Sequence, residues 1–180
     1  MDSNINIVTV KRRFFEMKNG VIADHLKNNG SPYPLVFGLN LPQLVDIADA
    51  IGFDKDLAVS LKNDSRTRES QLLASLIMPV DAISDVDDAV QWLMSMISTE
   101  AIDIACLKLI KKHPDSFEIV NRCLKIDSFL AEYAAVRLLW NIYTQKPNDC
   151  KEVLLKTKFN FPETGLMARN LLDEIEYILN

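Results

Sequence analysis

Apolar residues recur at helical spacing along most of the chain, and no stretch alternates apolar and polar residues as a half-buried strand does. The clearest example is residues 98–113, STEAIDIACLKLIKKH. Ser98 or Thr99 suits the start of a helix, and lysines at its end complement the helix dipole. The pattern predicts a helix from Thr99 to Lys112. Its apolar stripe consists of Ile102, Cys106, Leu109 and Ile110.

Capping and breaking residues predict further helices along the rest of the chain. These helices cover residues 5–28 with a break at Gly20, 41–51, 54–61, 65–78, 85–97, 114–124 and 128–145, a short one from 147 and a last one from 162. The longer helices begin at a spacing typical of paired-helix repeats. We therefore predict one all-α domain over residues 1–180, in which HEAT-like antiparallel helix pairs stack as a short curved solenoid.

Composition and charge narrow the classes of function. The net charge of −5 gives no overall attraction for nucleic acid or anionic membrane, so any DNA contact needs a local basic surface. The N-terminus lacks the apolar core of a signal peptide, and apolar runs such as 72–80 are too short to span a bilayer. The protein is therefore expected to be cytoplasmic, without membrane contact.

The cysteines and histidines give no pattern of a metal site. The three cysteines are widely spaced without a C-x-x-C pair, and the two histidines stand apart. We expect no zinc site, no disulfide and no cofactor, which fits a reducing compartment. Cys106 is interpreted as a small core residue.

Asp103 is the residue that does not fit its surroundings. It shares a helix face with Cys106, Leu107 and Ile110, and burying a charge is costly unless a partner compensates it. Asp103 is either a catalytic carboxylate or a structural one that caps a helix or pairs with a lysine or arginine across the helix pair.

Four segments together resemble the AlkD-type DNA alkylation repair glycosylases, a HEAT-like repeat family. They are FGLNLPQLVDIA, DLAVSLKNDSRTRESQLLASLIM, AIDIACLKLIKKHP and FLAEYAAVRLL, which follow in the order and spacing of that family. The resemblance covers about residues 10–145. The chain is shorter than the usual glycosylases, so one C-terminal repeat is expected to be missing or reduced.

The resemblance implies a DNA glycosylase that removes positively charged alkylated purines from duplex DNA held on its concave face. In that family the chemistry relies on a Trp-x-x-x-Asp on one helix and an arginine on the next long helix. A carboxylate stabilises the positive charge that develops on the sugar, an aromatic ring stabilises cations, and an arginine binds the flanking phosphate.

Not all of the family's site residues are found at the matching positions of this chain. Asp103 matches the family aspartate, but Thr99 occupies the tryptophan position and Tyr133 the arginine position. Arg137, one turn further along, would partly substitute if the helix were rotated. We therefore expect DNA binding with weak or lost catalysis. The candidate DNA-binding residues are Arg66, Arg68, Lys111, Lys112 and Arg137.

Two alternatives to DNA binding stay open. The four longer helices carry at least as many acidic as basic residues, which favours a non-catalytic helical scaffold that binds a protein partner. A structural or regulatory role in a larger assembly is the other alternative. An aromatic stripe on the helix of residues 128–145 is interpreted as core, or as a partner site if it is exposed. Its members are Phe129, Tyr133, Val136, Trp140 and Tyr143.

Overall fold

The computed structural model describes residues 6–180 and is all-helical over that range, which confirms the predicted fold class. Residue 5, where the first helix was predicted to begin, lies outside the described residues. The helices are α1 (Ile7–Glu16), α2 (Gly20–Asn28), α3 (Leu41–Ile51), α4 (Lys55–Asn63), α5 (Arg68–Ile77), α6 (Val86–Met94), α7 (Thr99–Lys108), α8 (Ser116–Cys123), α9 (Phe129–Ile142), α10 (Pro147–Lys156) and α11 (Pro162–Leu179).

Short polar side chains determine where several of these helices begin. Asn6, Asn19 and Asn40 each accept a backbone N–H from the first turn of α1, α2 and α3. At α3 the cap is reciprocal, because the side chain of Gln43 accepts the N–H of Asn40 at 2.9 Å. The equivalent caps of α4, α6 and α7 are Asp54, Asp85 and Ser98.

The helices from α3 onward pack in two rows. We call α3, α5, α7, α9 and α11 the front row, since each contacts the next helix of that set. Behind it, α4 packs on α5, α8 on α9 and α10 on α11, while α6 packs on α8 and α9. Because short loops join α4 to α5, α8 to α9 and α10 to α11, these are antiparallel helix pairs. Stacked pairs of this kind bury a continuous core between neighbours.

Helix α5 begins later than predicted, at Arg68 rather than Ser65. The N–H of Leu35 donates to the carbonyl of Arg66 at 2.9 Å, and the N–H of Arg68 donates back to Leu35 at 3.0 Å. These bonds form an isolated parallel bridge between Leu35 and Thr67. An extended backbone here therefore replaces the first predicted turn.

Helix α7 ends earlier than predicted, at Lys108 rather than Lys112. Leu109 leaves helical geometry, with φ −117° and ψ −67°, and residues 110–112 form a 3-10 turn. The side chains of Leu109 and Ile110 at this break are both buried, each 1% exposed. Helix α6 likewise ends at Met94 instead of residue 97.

A buried carboxylate on α5 holds the loop of residues 35–39 against the core. Glu69 is 0% exposed, and its carboxylate accepts the backbone N–H groups of Phe37 (3.0 Å), Gly38 (2.9 Å) and Leu39 (3.3 Å). Arg68 donates to the same carboxylate at 2.8 Å. A buried charge is tolerated only with such partners, so this loop and α5 depend on each other.

Gly38 is the tightest point of this loop. Its φ is +82°, and a Cβ added there would lie 2.2 Å from the carbonyl oxygen of Asn19. The N–H of Asn19 in turn donates to the carbonyl of Phe37 at 2.9 Å. Only glycine allows the loop to pass this close to the start of α2.

We predict that Gly38→Ala lowers the free energy of unfolding by more than about 2 kcal/mol, because it combines a strained φ with a backbone clash. Urea unfolding measures this change. Gly20→Ala is the matched control, since nothing lies within 4 Å of the added Cβ and its φ is not positive. The control should be neutral or slightly stabilising. Equal losses in both variants would contradict the assigned role of Gly38.

The three cysteines are free and buried, as predicted for Cys106. Burial raises the pKa of the Cys123 thiol to about 12 and raises the pKa of Cys106 further above its ordinary value. Unfolded thiols lose their protons from about pH 8.5. Above that pH the unfolded state binds fewer protons than the folded state, so stability present below pH 8.5 is lost as pH rises.

We predict that the unfolding free energy falls between pH 8 and 10, by up to about 1.4 kcal/mol per pH unit for each buried thiol. Urea midpoints at several pH values measure the slope. Cys123→Ala should make the slope shallower, whatever it does to stability at pH 7. An unchanged slope in that variant would show that the Cys123 thiol does not contribute.

Candidate functional site

Asp103 lies midway along α7 and bonds to two residues of α9. The hydroxyl of Tyr133 donates to Asp103 Oδ1 at 2.8 Å, and Arg137 Nε donates to the same oxygen at 2.6 Å. Tyr133 and Arg137 are four positions apart, so they share one face of α9. We call these three residues the Asp103 cluster. Asp103 thus has the partner that its position requires, and Arg137 supplies the opposite charge.

Small side chains allow α7 and α9 to approach closely enough for these bonds. Ala134 and Ala135 are fully buried in α9. The Sγ atom of Cys106 lies 3.7 Å from the carbonyl oxygen of Ala134. A small side chain at each of these positions brings the two backbones together and places Asp103 within reach of Arg137.

The Asp103 cluster lies at the surface rather than in the core. The side chains of Arg137 and Asp103 are 32% and 36% exposed. Both hydrogen bonds use Oδ1, and within residues 6–180 neither Asp103 Oδ2 nor the terminal nitrogens of Arg137 has a partner. The cluster therefore presents one carboxylate oxygen and the outer edge of a guanidinium to solvent.

Tyr133 acts as a fixed donor within the cluster. Burial is the main reason that the pKa of its phenol lies well above the ordinary value, and the hydrogen bond to Asp103 and that residue's charge raise it further. The phenol consequently keeps its proton at neutral pH. It orients the carboxylate and does not accept a proton itself.

The aromatic stripe of α9 is half-buried and mostly packed. The ring of Phe129 lies 6.0 Å from Tyr133 and 5.6 Å from Phe161, between ring centroids. Trp140 packs edge-on against Tyr143 at 5.7 Å. Tyr133 is the member of this stripe that hydrogen-bonds to Asp103.

Glu132 anchors the start of α11 beside these rings. It is 4% exposed and accepts the backbone N–H groups of Asn160 at 2.8 Å and Phe161 at 3.2 Å. The hydroxyl of Thr164 also donates to it. This buried carboxylate fixes Phe161 against Phe129 and so supports the face of α9 that carries Tyr133.

Comparisons with protein-family models, curated proteins and solved structures found no match to this chain. Among residues 6–180, no group of three or more His, Cys, Asp or Glu side chains is placed to hold a metal ion. None of the described helices is both long and apolar enough to cross a membrane.

Arg68, a predicted DNA contact, is buried and fully engaged. It is 5% exposed, its Nε donates to Glu100 at 2.8 Å, and its Nη1 donates to the Leu39 carbonyl at 2.9 Å and to Glu69 at 2.8 Å. Its guanidinium therefore joins the 35–39 loop, α5 and α7. The first-turn contact between Arg68 and Glu100 also shows that α5 and α7 run parallel.

The remaining predicted cations lie at opposite edges of the front row, one before the start of α5 and two after the end of α7. Arg66 and Lys112 are exposed and Lys111 is half-buried, and none of them forms an ion pair within the described residues. Arg66 precedes α5, whereas Lys111 and Lys112 follow α7. Among the six predicted site residues, the structure brings together Asp103 and Arg137 and leaves the others apart.

Sequence reasoning missed the buried carboxylates that organise this region. Glu69 and Glu132 stand near the starts of their helices, where an acidic residue is ordinarily a surface complement to the helix dipole. The sequence also did not indicate that Glu100 would pair with Arg68. Their roles depend on loops and helices about thirty residues away in the chain.

We predict that Asp103 and Arg137 are energetically coupled by about 0.5–1 kcal/mol, the size expected for a half-exposed pair. A double-mutant cycle of Asp103→Asn and Arg137→Gln in urea unfolding measures the coupling. The exposed Glu152–Lys156 pair, treated with Glu152→Gln and Lys156→Gln, is the control and should couple less strongly. Equal coupling in both cycles would mean that the Asp103 cluster is no better organised than a solvated surface pair.

Proposed function

We propose that this chain is a helical-repeat protein of the alkylation-repair type, which binds duplex DNA along its front row and has weak or no glycosylase activity. The observation that supports this proposal is Arg137 Nε at 2.6 Å from Asp103 Oδ1. A carboxylate on one helix and an arginine on the next long helix are what the family resemblance implies, although the family arginine position itself holds Tyr133.

Each member of the Asp103 cluster would have a distinct role on DNA. The unpartnered Oδ2 of Asp103 would stabilise positive charge that develops on a sugar as its bond to the base breaks. The outer nitrogens of Arg137 would bind the adjacent phosphate through charge-assisted hydrogen bonds. Tyr133 would hold the carboxylate in place.

Two features favour slow or absent base excision. Thr99 provides no aromatic ring at the position where the family has tryptophan, so one source of cation stabilisation is missing. The charge of Asp103 is also opposed by a guanidinium at 2.6 Å, which weakens the negative potential that a developing cation would meet.

Affinity for DNA should come mainly from the two edges of the front row. Arg66 lies at the edge before α5, and Lys111 and Lys112 lie at the edge after α7. Arg68 contributes little because Glu69 and Glu100 neutralise it. Few phosphate contacts imply modest affinity and a correspondingly modest salt dependence, because the slope is proportional to the number of contacts. The proposed compartment is the cytoplasm, with which three free cysteines are compatible.

A second candidate is a non-catalytic scaffold that binds a protein partner on the same face. The observation that favours it is that both arginines in the middle of the front row, Arg68 and Arg137, are already paired with carboxylates. A face without free cations at its centre suits a mixed polar interface better than a polyanion.

The deciding experiment measures the Kd for a labelled DNA duplex at about 50 mM and 200 mM salt. If three phosphates are contacted, affinity should fall about 40-fold over this range. Lys111→Gln with Lys112→Gln should weaken binding and reduce the salt dependence. Lys125→Gln with Lys158→Gln removes the same charge from exposed positions elsewhere and should have a smaller effect.

Catalysis is tested on duplexes that contain a cationic alkylpurine such as N7-methylguanine. Slow base release that disappears in Asp103→Asn would make the cluster an active site. Binding without release would leave a DNA-binding protein that has lost excision. Absence of binding at low salt, where the phosphate contribution is greatest, would overturn the DNA proposal and favour the scaffold.

A further inference from the structure

A cavity of about 530 Å³ lies away from the Asp103 cluster, between the turns that follow α5 and α7. Its volume falls in the range of small-ligand sites. Val80, Ile83 and Pro114 form its apolar wall. The polar part of the wall combines two carboxylates, a hydroxyl and an imidazole, and its chemistry is therefore specific enough to define a ligand.

His113 is the buried polar group of this cavity. It is 6% exposed, and its Nδ1 accepts the backbone N–H of Asp115 at 3.1 Å. Because Nδ1 accepts, the neutral ring must carry its proton on Nε2. The Asp115 carboxylate lies 4.0 Å from Nδ1, too far for a hydrogen bond that would compete.

The Nε2–H group of His113 is available to a ligand. Within residues 6–180, Nε2 has no hydrogen-bond partner. Nε2 is also not fully buried, since the one fully buried side-chain atom without a partner in that range is Thr67 Oγ1. His113 is one of the residues that line the cavity, which places its ring within reach of a ligand held there. A protonated Nε2 is a hydrogen-bond donor and not a metal ligand, so this position suits an acceptor such as a carbonyl oxygen.

The exposed carboxylates of Asp81 and Asp115 give the cavity wall a negative charge. Both line the cavity, and among the described residues neither pairs with a lysine or arginine. Asp85 and Asp88, at the start of α6, add negative charge close by in the chain, whereas Asp87 there is paired with Arg122. The neighbouring lysines 111 and 112 precede His113 in the chain but do not line the cavity.

We propose that this cavity binds an arginine or lysine residue of a basic peptide. The side-chain cation lies between Asp81 and Asp115, and the backbone carbonyl of that residue accepts from His113 Nε2–H. The methylene groups of the bound side chain pack on the apolar wall, as such stems do on protein surfaces. This site is separate from the Asp103 cluster, and the proposal does not depend on DNA binding.

The test compares N-acetyl-arginine amide with N-acetyl-citrulline amide, which has the same shape without the charge. In NMR titrations the arginine probe should bind at least about fivefold more tightly and shift the signals of His113 and Ser84. Asp81→Asn with Asp115→Asn should abolish the preference. Asp115 makes no side-chain cap bond to α8, so its neutralisation leaves the start of that helix unchanged.

Two controls separate the parts of the proposal. Asp24→Asn with Asp46→Asn removes the same charge from exposed positions and should keep the preference. His113→Asn keeps an acceptor for the Asp115 N–H but lacks the Nε2 donor. It should weaken the arginine probe about three- to tenfold and leave agmatine, which has the guanidinium and no carbonyl, unaffected.

Equal binding of the arginine and citrulline probes would overturn the proposal. Loss of the preference in the Asp24 and Asp46 control would overturn it as well, because the effect would then come from overall charge. If His113→Asn weakened the binding of agmatine and of the arginine probe equally, His113 would not bind the carbonyl. The assignment of a peptide ligand would then be wrong. Thermal unfolding of each variant verifies that it remains folded.

Discussion

The buried carboxylate of Glu69 is the interaction on which the arrangement of the front row depends. It accepts three backbone N–H groups from the loop before α3 and bonds to Arg68, which in turn bonds to Glu100 on α7. Removing one member of such a buried network leaves another charge without a partner, at a cost of about 3–5 kcal/mol. The loop, α5 and α7 are therefore positioned together and not independently.

The same device recurs at the other end of the front row. Glu132 on α9 accepts two backbone N–H groups from the loop before α11, as Glu69 on α5 does for the loop before α3. Both carboxylates are buried and serve the fold. Between them lies the half-exposed Asp103–Arg137 pair, whose remaining donors and acceptor point to solvent. Exposure, and not charge alone, separates the functional candidate from the structural ion pairs.

Helix α7 links the two surfaces to which we assign binding. Asp103 lies on the side of α7 that faces α9. The early end of α7 at Lys108 leads into the turn that carries His113. The break turns the chain into the 3-10 turn of residues 110–112, which leads to His113. This local break therefore shapes the cavity between the turns.

The sequence by itself determined the helical class, most helix starts and the requirement that Asp103 have a partner. Caps such as Asn40 and Asp85 act within one turn, so their effect is readable from neighbouring residues. Tertiary structure alone decided that Arg137, 34 positions away, is that partner and that Arg68 is buried. The reason is physical: a surface arginine and a buried one look alike in sequence, because the carboxylates that compensate a buried charge come from distant segments that only packing brings together.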